Sequence, residues 1–326
     1  GLAEAYRDGW WDSDDICAVL LFGLENEAHL KSVFHGGGFV NLTANVLYAL
    51  RQNTLRGSRK NIQAHYDLGN DFYSLWLDPT MTYSAALYNN DNEDLPQAQN
   101  NKYDRMIDRL DRVSGDILEV GCGWGGFADR AVNRVDRDYH VKGITLSDEQ
   151  HKYAKVRLGN RADIVLEDYR HQTGKYDNIV SIEMFEAVGE KFWPTYFDKL
   201  HSLMSDKGQA MIQAITIADE HFERYRNGGD MIRTHIFPGG MLPSPERFTR
   251  QAAQSDLQVV DQFAFGQDYG RTMLEWLQRF DANTPAILAL GYDKKFIRLW
   301  RFYLAICYAA FKVGRIDVMH MELRHA

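Results

Sequence analysis

The sequence from Ile117 to Gly126 reads Ile-Leu-Glu-Val-Gly-Cys-Gly-Trp-Gly-Gly, an apolar run that ends in four glycines within six residues. The apolar half predicts a buried strand over about 117–120, and the glycines predict a turn whose backbone comes close to a ligand. A helix is expected to begin at Gly126. This order of strand, glycine-rich turn and helix is typical of a nucleotide-type cofactor site, and hence of an enzyme.

The kind of cofactor depends on the residue before the turn. Gly121, Gly123 and Gly126 satisfy the dinucleotide pattern G-x-G-x-x-G, so the glycines alone leave a dinucleotide enzyme open. Glu119, two residues before Gly121, stands where Rossmann-like enzymes that use S-adenosylmethionine (SAM) carry an acidic residue. The structural alternative is a tight strand-to-helix turn that binds no ligand.

Composition narrows the class of protein. The 326 residues are 45% hydrophobic and 25% charged, which is ordinary for a globular protein. The net charge of −8 argues against nucleic acid as the main partner. The three cysteines are too few and too scattered for a disulfide framework or a zinc site, so we expect a cytoplasmic protein. No apolar run approaches the roughly 18 residues that span a bilayer.

Strands and helices alternate from about residue 115 onward. Seven strands are predicted, over 116–121, 139–145, 163–166, 178–182, 209–217, 257–262 and 317–322. This order predicts an α/β fold with a seven-stranded doubly wound sheet, whose ligand lies at the carboxyl ends of the strands.

Two further regions accompany the predicted sheet. Residues 1–60 read as an N-terminal helical or accessory region, and the start at Gly1 suggests that a preceding portion is missing. Residues 61–326 would form the catalytic domain, with an insertion over the site at about 218–245. Basic residues cluster at two places, Arg51, Arg56, Arg59 and Lys60, and Lys294, Lys295, Arg298 and Arg301. The second cluster suits either an anionic membrane surface or a solvated helix face whose apolar side packs on the core.

The chain resembles the cyclopropane fatty acyl phospholipid synthase and mycolic acid cyclopropane synthase family over essentially its whole length. Three stretches carry most of the resemblance: Gly1–Trp11, His65–Tyr73 and the glycine turn with Trp124. Further matches are Gly143–Gln150, Phe185–Gly189, Ile236–Ser244 and Asp268–Thr272.

The resemblance implies a SAM site that can be transferred position by position. The methionine end of SAM would meet Tyr83, Ser84, Glu119, Gly121 and Gly123. The ribose would meet Thr145, Leu146 and Gln150, and the adenine would lie beside Leu166 and Glu167. A sulfonium suits aromatic faces and nearby carboxylates, and a base suits a flat apolar slot.

The resemblance also implies that the double bond of a lipid tail attacks the SAM methyl group and that a bound bicarbonate removes a proton from it. Glu186, Tyr269 and Cys307 match positions that hold bicarbonate. Ala85 and Gln213 replace an expected cysteine and histidine, so bicarbonate binding is open. Glu183 or Thr216 could compensate, or the reaction could differ.

Several outcomes follow from these replacements. The product could be a cyclopropane, a methyl or methylene branch, or a furan fatty acid; the chain could also bind SAM or lipid without turnover, or methylate a small molecule. An unsaturated fatty acyl phospholipid, the inner face of the membrane and a homodimer are the implied partners. An apolar channel for the tail could be built from Phe185, Trp193, Tyr196, Phe222, Phe237, Met241, Trp276, Phe280, Phe302 and Phe311.

Overall fold

A seven-stranded sheet forms the centre of the structure, a computed structural model that describes residues 1–27, 29, 68–228 and 231–326. The strands in chain order are β1 (Ser114–Val120), β2 (Asp138–Thr145), β3 (Asp163–Leu166), β4 (Tyr176–Ile182), β5 (Met204–Ile217), β6 (Leu257–Ala264) and β7 (Ile316–His325). Their spatial order is β3-β2-β1-β4-β5-β7-β6. β7 runs antiparallel to its neighbours β5 and β6, and the other neighbouring strands pair in parallel. The predicted fold class is confirmed.

The start of β5 differs from the prediction. The strand begins at Met204 and not at residue 209, and its pairing with β4 shifts register between Tyr176 and Asn178. Asp206 and Lys207 in this first part are exposed. A bulged, solvated start lacks the apolar pattern by which strands are predicted, so sequence periodicity finds only the buried part.

Helices cover the sheet and extend the chain at both ends. Those that the structure describes are Leu2–Arg7, Ile16–Glu25, Asn70–Ser74, Leu95–Asp108, Gly126–Val132, Asp148–Leu158, Trp193–Leu203, Asp219–Asn227, Pro245–Ala253, Gly266–Ala282, Thr284–Ala289 and Lys294–Lys312. A helix follows the glycine turn at Gly126, as predicted.

The helix Leu95–Asp108 brings three functional side chains to the site. Asp94 caps it by accepting a hydrogen bond from the amide of Gln97 at 2.9 Å, and Pro96 occupies its first turn, where its missing amide hydrogen costs no helical bond. Spacing of three residues keeps Gln99, Lys102 and Arg105 on neighbouring parts of one helical face.

The N-terminal segment packs on the last helix. Tyr6 and Leu20 are buried in the same core cluster as Trp300 and Phe302. Arg298 donates to the backbone oxygens of Tyr6 and Trp11, and its Nη1 lies 3.0 Å from Asp12. Arg301 and Lys295 pair with Asp281 and Asp8. Lys295 and Arg298 therefore bind the N-terminal segment, and so does Arg301, which also donates to the Tyr6 hydroxyl.

The remainder of the predicted 1–60 region, including its other basic cluster, lies outside the described residues. The predicted insertion at about 218–245 contains the helix Asp219–Asn227 and a π-helical turn, Ile232–Ile236. Its end joins the site, because the amide of Met241 donates to the backbone oxygen of Glu186 at 2.8 Å. Among the described helices, none has the length and apolar character to cross a membrane.

The predicted aromatic channel is divided between two cores. Phe185, Trp193, Tyr196, Phe222 and Met241 belong to one cluster of buried residues. The other cluster contains Trp276, Phe280, Phe302 and Phe311, with Phe237 packed against it. Most of these rings are fully buried against one another, so burial in a folded core accounts for much of the aromatic content.

Candidate active site

A pocket opens at the carboxyl ends of the central strands, next to the glycine turn. It is lined by Met81–Ser84, Tyr103, Glu119–Trp124, Gly126, Ile144–Leu146, Gln150, Glu167–Arg170, Ile182–Met184, Ala187 and Val188. The sequence-predicted cofactor residues Tyr83, Ser84, Glu119, Gly121, Gly123, Thr145, Leu146, Gln150 and Glu167 all lie on this wall. Leu166, the remaining predicted cofactor residue, is the last residue of β3 and does not line the pocket. The residues that follow it, Glu167–Arg170, line the pocket instead.

The turn that follows β1 requires glycine. Gly121 has φ +83°, and a Cβ there would lie 2.9 Å from Cγ of Met184. The amides of Gly121 and Cys122 both donate to the backbone oxygen of Ile144 on β2, at 3.0 and 2.9 Å. The backbone therefore passes tightly between two strand ends and forms part of the pocket floor.

Glu119 is a buried acid on that wall. Its Oε2 has no hydrogen-bond partner among the described residues, and the side chain is 2% exposed. Burial raises the pKa of Glu119 to about 8, against the opposing effects of the Ala128 amide and of Arg157 and Lys102. An unpartnered buried carboxyl oxygen in a ligand pocket suits a donor on the ligand, such as the ammonium of an amino acid moiety.

Two of the residues predicted to contact the ribose, Thr145 and Gln150, are joined by a hydrogen bond. Ser147 caps the helix Asp148–Leu158, with Oγ accepting from the amide of Gln150 at 3.3 Å. Oγ1 of Thr145 donates to Oε1 of Gln150 at 2.8 Å. Cap and side-chain bond together hold the Gln150 amide group at the pocket, where it can bind hydroxyl groups.

Ser84 is fixed from below by the helix Leu95–Asp108. Nε2 of Gln99 donates to its backbone oxygen at 2.8 Å, and Nζ of Lys102 donates to its Oγ at 2.7 Å. Because Oγ already accepts from a cation, its hydrogen is available to an acceptor in the pocket. Burial lowers the pKa of Lys102 to about 7, opposed by the carboxylates of Glu183, Asp78 and Glu119.

Tyr83 stands among aromatic rings at the mouth of the site. Its ring centroid lies 5.3 Å from that of Trp76, 5.4 Å from Trp276 and 5.5 Å from Tyr73. Its hydroxyl is 2.9 Å from that of Tyr303. The arrangement presents aromatic faces, which attract cations, beside the cofactor pocket.

Glu183 is the centre of the polar network. Its Oε1 accepts from the amide of Ala85 at 2.8 Å and from Nε2 of Gln213 at 2.7 Å, and its Oε2 accepts from the Tyr269 hydroxyl at 2.6 Å. Glu183 follows β4 directly and has φ +50°, a strained conformation for a residue with a side chain. Strain of this kind is tolerated where the surroundings hold the residue in place, and three donors do so here.

The predicted site residues Gln213 and Tyr269 thus converge on Glu183, and Glu186 and Cys307 lie beside this group. Glu186 accepts from the amide of Ile215, and its Oε2 has no partner within the described chain. Burial and the charge of Glu183 raise the pKa of Glu186 to about 8. Cys307 is buried close enough to Tyr269 to influence its ionisation.

The expected bicarbonate does not fit this arrangement. Gln213 and Tyr269 would be two of its donors, and both already donate to the Glu183 carboxylate. The amide at Ala85, where the family's cysteine would stand, donates to the same group. A carboxylate from the chain therefore occupies the donors that the resemblance assigns to a bound anion.

Comparison with known proteins decides the family. Residues 53–321 match the family model described as mycolic acid cyclopropane synthetase. The chain belongs to the mycolic acid cyclopropane synthetase family. As a member of this family it is a SAM-dependent methyltransferase, and the pocket residues described above fit SAM in their chemistry.

Individual relatives support the same assignment. The chain is 35% identical to tuberculostearic acid methyltransferase UfaA1 of Mycobacterium tuberculosis, over 99% of this chain and 78% of that protein. It is also 35% identical to cyclopropane-fatty-acyl-phospholipid synthase of Escherichia coli, over 98% and 81%. The structure of mycolic acid cyclopropane synthase CmaA1 with S-adenosylhomocysteine (SAH) and CTAB aligns with a TM-score of 0.75 and 31% identity, covering 81% of this chain and 97% of that one.

Sequence reasoning missed several members of this methyltransferase site. The sequence does not indicate Lys102, Asp168 or His320, and it offers Glu183 only as a neighbour that could compensate. A signal existed for two of them, because Glu183 and Asp168 stand just beyond the ends of β4 and β3, where the sheet topology places ligands. Lys102 and His320 carry no local motif.

Proposed function

We propose that this methyltransferase transfers the SAM methyl group to the double bond of an unsaturated fatty acyl chain in a phospholipid, with Glu183 as the base. The observation that carries the proposal is the Glu183 carboxylate itself. It lines the cofactor pocket and is held by donors from Ala85, Gln213 and Tyr269.

The reaction needs both an electrophile and a base. Bound SAM supplies an electrophilic methyl group. When the π electrons of the alkene form a bond to that methyl carbon, its bond to the sulfonium sulfur breaks and SAH leaves with that electron pair. A carbocation remains on the acyl chain, and loss of one proton neutralises it. Glu183 accepts this proton on a carboxylate oxygen, so no external base is required.

The raised pKa of Glu183 makes its carboxylate a stronger base than an ordinary carboxylate. Burial raises its pKa, whereas hydrogen bonds from Tyr269, Ala85 and Gln213 and the charge of Lys102 lower it. The donors hold the carboxylate in one orientation, which keeps the proton acceptor aligned with its target. A base that belongs to the chain replaces the anion that the resemblance implied.

Aromatic residues next to this base suit a cationic acyl chain. Tyr83 and Trp124 line the pocket, and the rings of Tyr73, Trp76 and Trp276 surround Tyr83. Aromatic faces stabilise cations without reacting with them, and they exclude the water that would capture the cation as an alcohol.

The lipid class rests on relatives. The Escherichia coli relative is named as acting on fatty acyl phospholipid, and the CmaA1 structure contains CTAB together with SAH. We also propose that the methyltransferase domain spans 61–326, with 1–60 as an accessory region, and that the enzyme meets its substrate at a membrane surface. All seven strands lie within 114–325, which supports that division.

The test uses vesicles of an unsaturated phospholipid, SAM with a fully deuterated methyl group, and mass spectrometry of the released fatty acids. Wild type, Glu183→Gln and the exposed-site control Glu246→Gln are compared. We expect wild type and the control to label the acyl chain and Glu183→Gln to be slower by about 10²- to 10⁴-fold.

The isotope pattern identifies the product. Retention of two deuteriums in a species that resists hydrogenation indicates a cyclopropane, and two in a reducible species indicate a methylene branch; in both cases the base acts on the new methyl group. Three retained deuteriums mean that the proton leaves the acyl chain. Absence of lipid labelling would refute the substrate, and full activity of Glu183→Gln would refute the base.

A further inference from the structure

A buried histidine lies behind Gln213, on the side away from Glu183. His320 on β7 pairs directly with Gln213 on β5, and both side chains are almost completely buried. Nε2 of His320 lies 2.8 Å from Oε1 of Gln213. The other ring nitrogen, Nδ1, lies 2.9 Å from Nη1 of Arg105. Arg105, His320 and Gln213 thus form a continuous line that ends at Glu183.

Hydrogen-bond chemistry fixes the direction of every bond in this line. A carboxylate only accepts, so Gln213 must present its N–H group to Glu183 and its oxygen to His320. His320 must then donate from Nε2, which leaves Nδ1 as an acceptor. Arg105 can only donate, and it supplies the donor that Nδ1 needs. A single tautomer of His320 and a single orientation of the Gln213 amide give every donor and acceptor in this line a partner.

We infer that His320 and Arg105 are positioning residues that hold the Gln213 amide with its N–H group toward the catalytic carboxylate. The inference rests on the proposed role of Glu183. An amide is nearly symmetric in shape, so only its partners determine which end faces the carboxylate. If His320 were apolar, the amide could turn and place its oxygen against Glu183, where two acceptors repel.

The charges around His320 preserve this arrangement across a wide pH range. Burial and the positive charges of Arg105 and Lys102 keep the pKa of His320 well below its usual value, so the ring stays neutral. Arg105 is itself held at the outer end, where its guanidinium lies 3.8 Å from the ring centroid of Phe263 and 3.9 Å from Asp261.

The first test compares His320→Leu, which removes the donor, with His320→Gln, which restores an N–H group at a similar reach. Arg105→Leu is matched by Arg109→Leu. Arg109 directly follows the helix that carries Arg105, and it pairs with Asp261 and Glu322, not with His320. Methyl transfer, SAH affinity and thermal unfolding are measured for each variant.

We expect His320→Leu and Arg105→Leu to lower kcat by about 10- to 100-fold, with unchanged SAH affinity. His320→Gln and Arg109→Leu should stay within about threefold of wild type. The acid limb of the kcat profile should move up by about one pH unit in His320→Leu, because Glu183 loses a donor. Among the residues that the structure describes, the other charged or titratable groups that face Glu183 are Lys102, Tyr269 and Glu186, and every variant retains them.

A second measurement does not depend on turnover, because it reads the protonation of the histidine ring in the wild-type protein. Nitrogen-15 NMR of the histidine-labelled wild-type protein should show His320 neutral, protonated at Nε2 and unprotonated at Nδ1, with the signal assigned through its loss in His320→Gln. The opposite tautomer, a charged ring or a normal kcat and pH profile in His320→Leu would overturn the inference. Full activity of Glu183→Gln would instead show that the proposed function is wrong.

Discussion

Gly123 offers a direct test of where the cofactor lies. Its backbone has φ +52°, it lines the pocket, and a Cβ built on it meets no atom of the described residues within 4 Å. The space next to this glycine is therefore pocket space. If SAM lies against the turn, a methyl group at Gly123 will meet the ligand.

Gly314 provides the matched control, because its φ is +67° and its Cβ position is equally open with respect to the part of the chain that the structure describes, yet it lies outside the cofactor pocket. Alanine in the left-handed region costs about 1–2 kcal/mol, so both Gly123→Ala and Gly314→Ala should lose stability by similar amounts. Only Gly123→Ala should also lose SAH affinity. Crowding by one methyl group costs about 1–3 kcal/mol, which corresponds to about 5- to 150-fold in Kd.

Isothermal titration of SAH into wild type and both variants measures this difference, and thermal unfolding checks that the two substitutions are equally strained. Equal SAH affinity in all three proteins would refute the placement of the cofactor against the turn. A loss of affinity in Gly314→Ala as large as in Gly123→Ala would show that general destabilisation explains the effect.

Three further results are expected. Raising the pH from about 4.5 to 8 should lower the unfolding free energy of wild type more than that of Glu186→Gln, because the folded protein keeps a proton on Glu186 that the unfolded chain releases. Equal pH dependence of the two proteins in unfolding experiments would contradict the raised pKa of Glu186. Lys102→Met should weaken SAH binding roughly tenfold in titration, because Ser84 loses the donor that orients it, and unchanged affinity would exclude that role. In denaturant unfolding, Tyr6→Ala should lower the free energy of unfolding by about 3–5 kcal/mol and Trp10→Ala by less than about 0.5 kcal/mol, since Tyr6 is fully buried and Trp10 is 82% exposed. Similar losses in the two variants would mean that the N-terminal segment is not part of the core.

The fold can be predicted from the sequence because the patterns that indicate its central strands lie within short segments of the chain. The run Ile117–Val120 is buried as its composition predicts, and the alternation of strands with helices specifies the layers. Long-range contacts account for what the sequence does not indicate. Met204 begins β5 through a bulge that depends on its neighbour, and Arg298 binds an N-terminal segment that no periodicity in its own helix indicates.

The sequence predicts site residues only where a single position matches a known motif. A resemblance identifies Gln213 as the replacement of a histidine, and considered alone the change looks like the loss of a proton-carrying group. The structure gives the replacement a context, because His320 contacts its far side and Glu183 its near side. Three residues from β5, β7 and the end of β4 form one chain of hydrogen bonds, and strand pairing, which no single segment encodes, brings them together. The replacement of a histidine by Gln213 therefore need not mean loss of catalysis. It belongs to a set of three residues, in which Glu183 supplies a carboxylate, Gln213 donates to that carboxylate, and His320 holds the Gln213 amide in place.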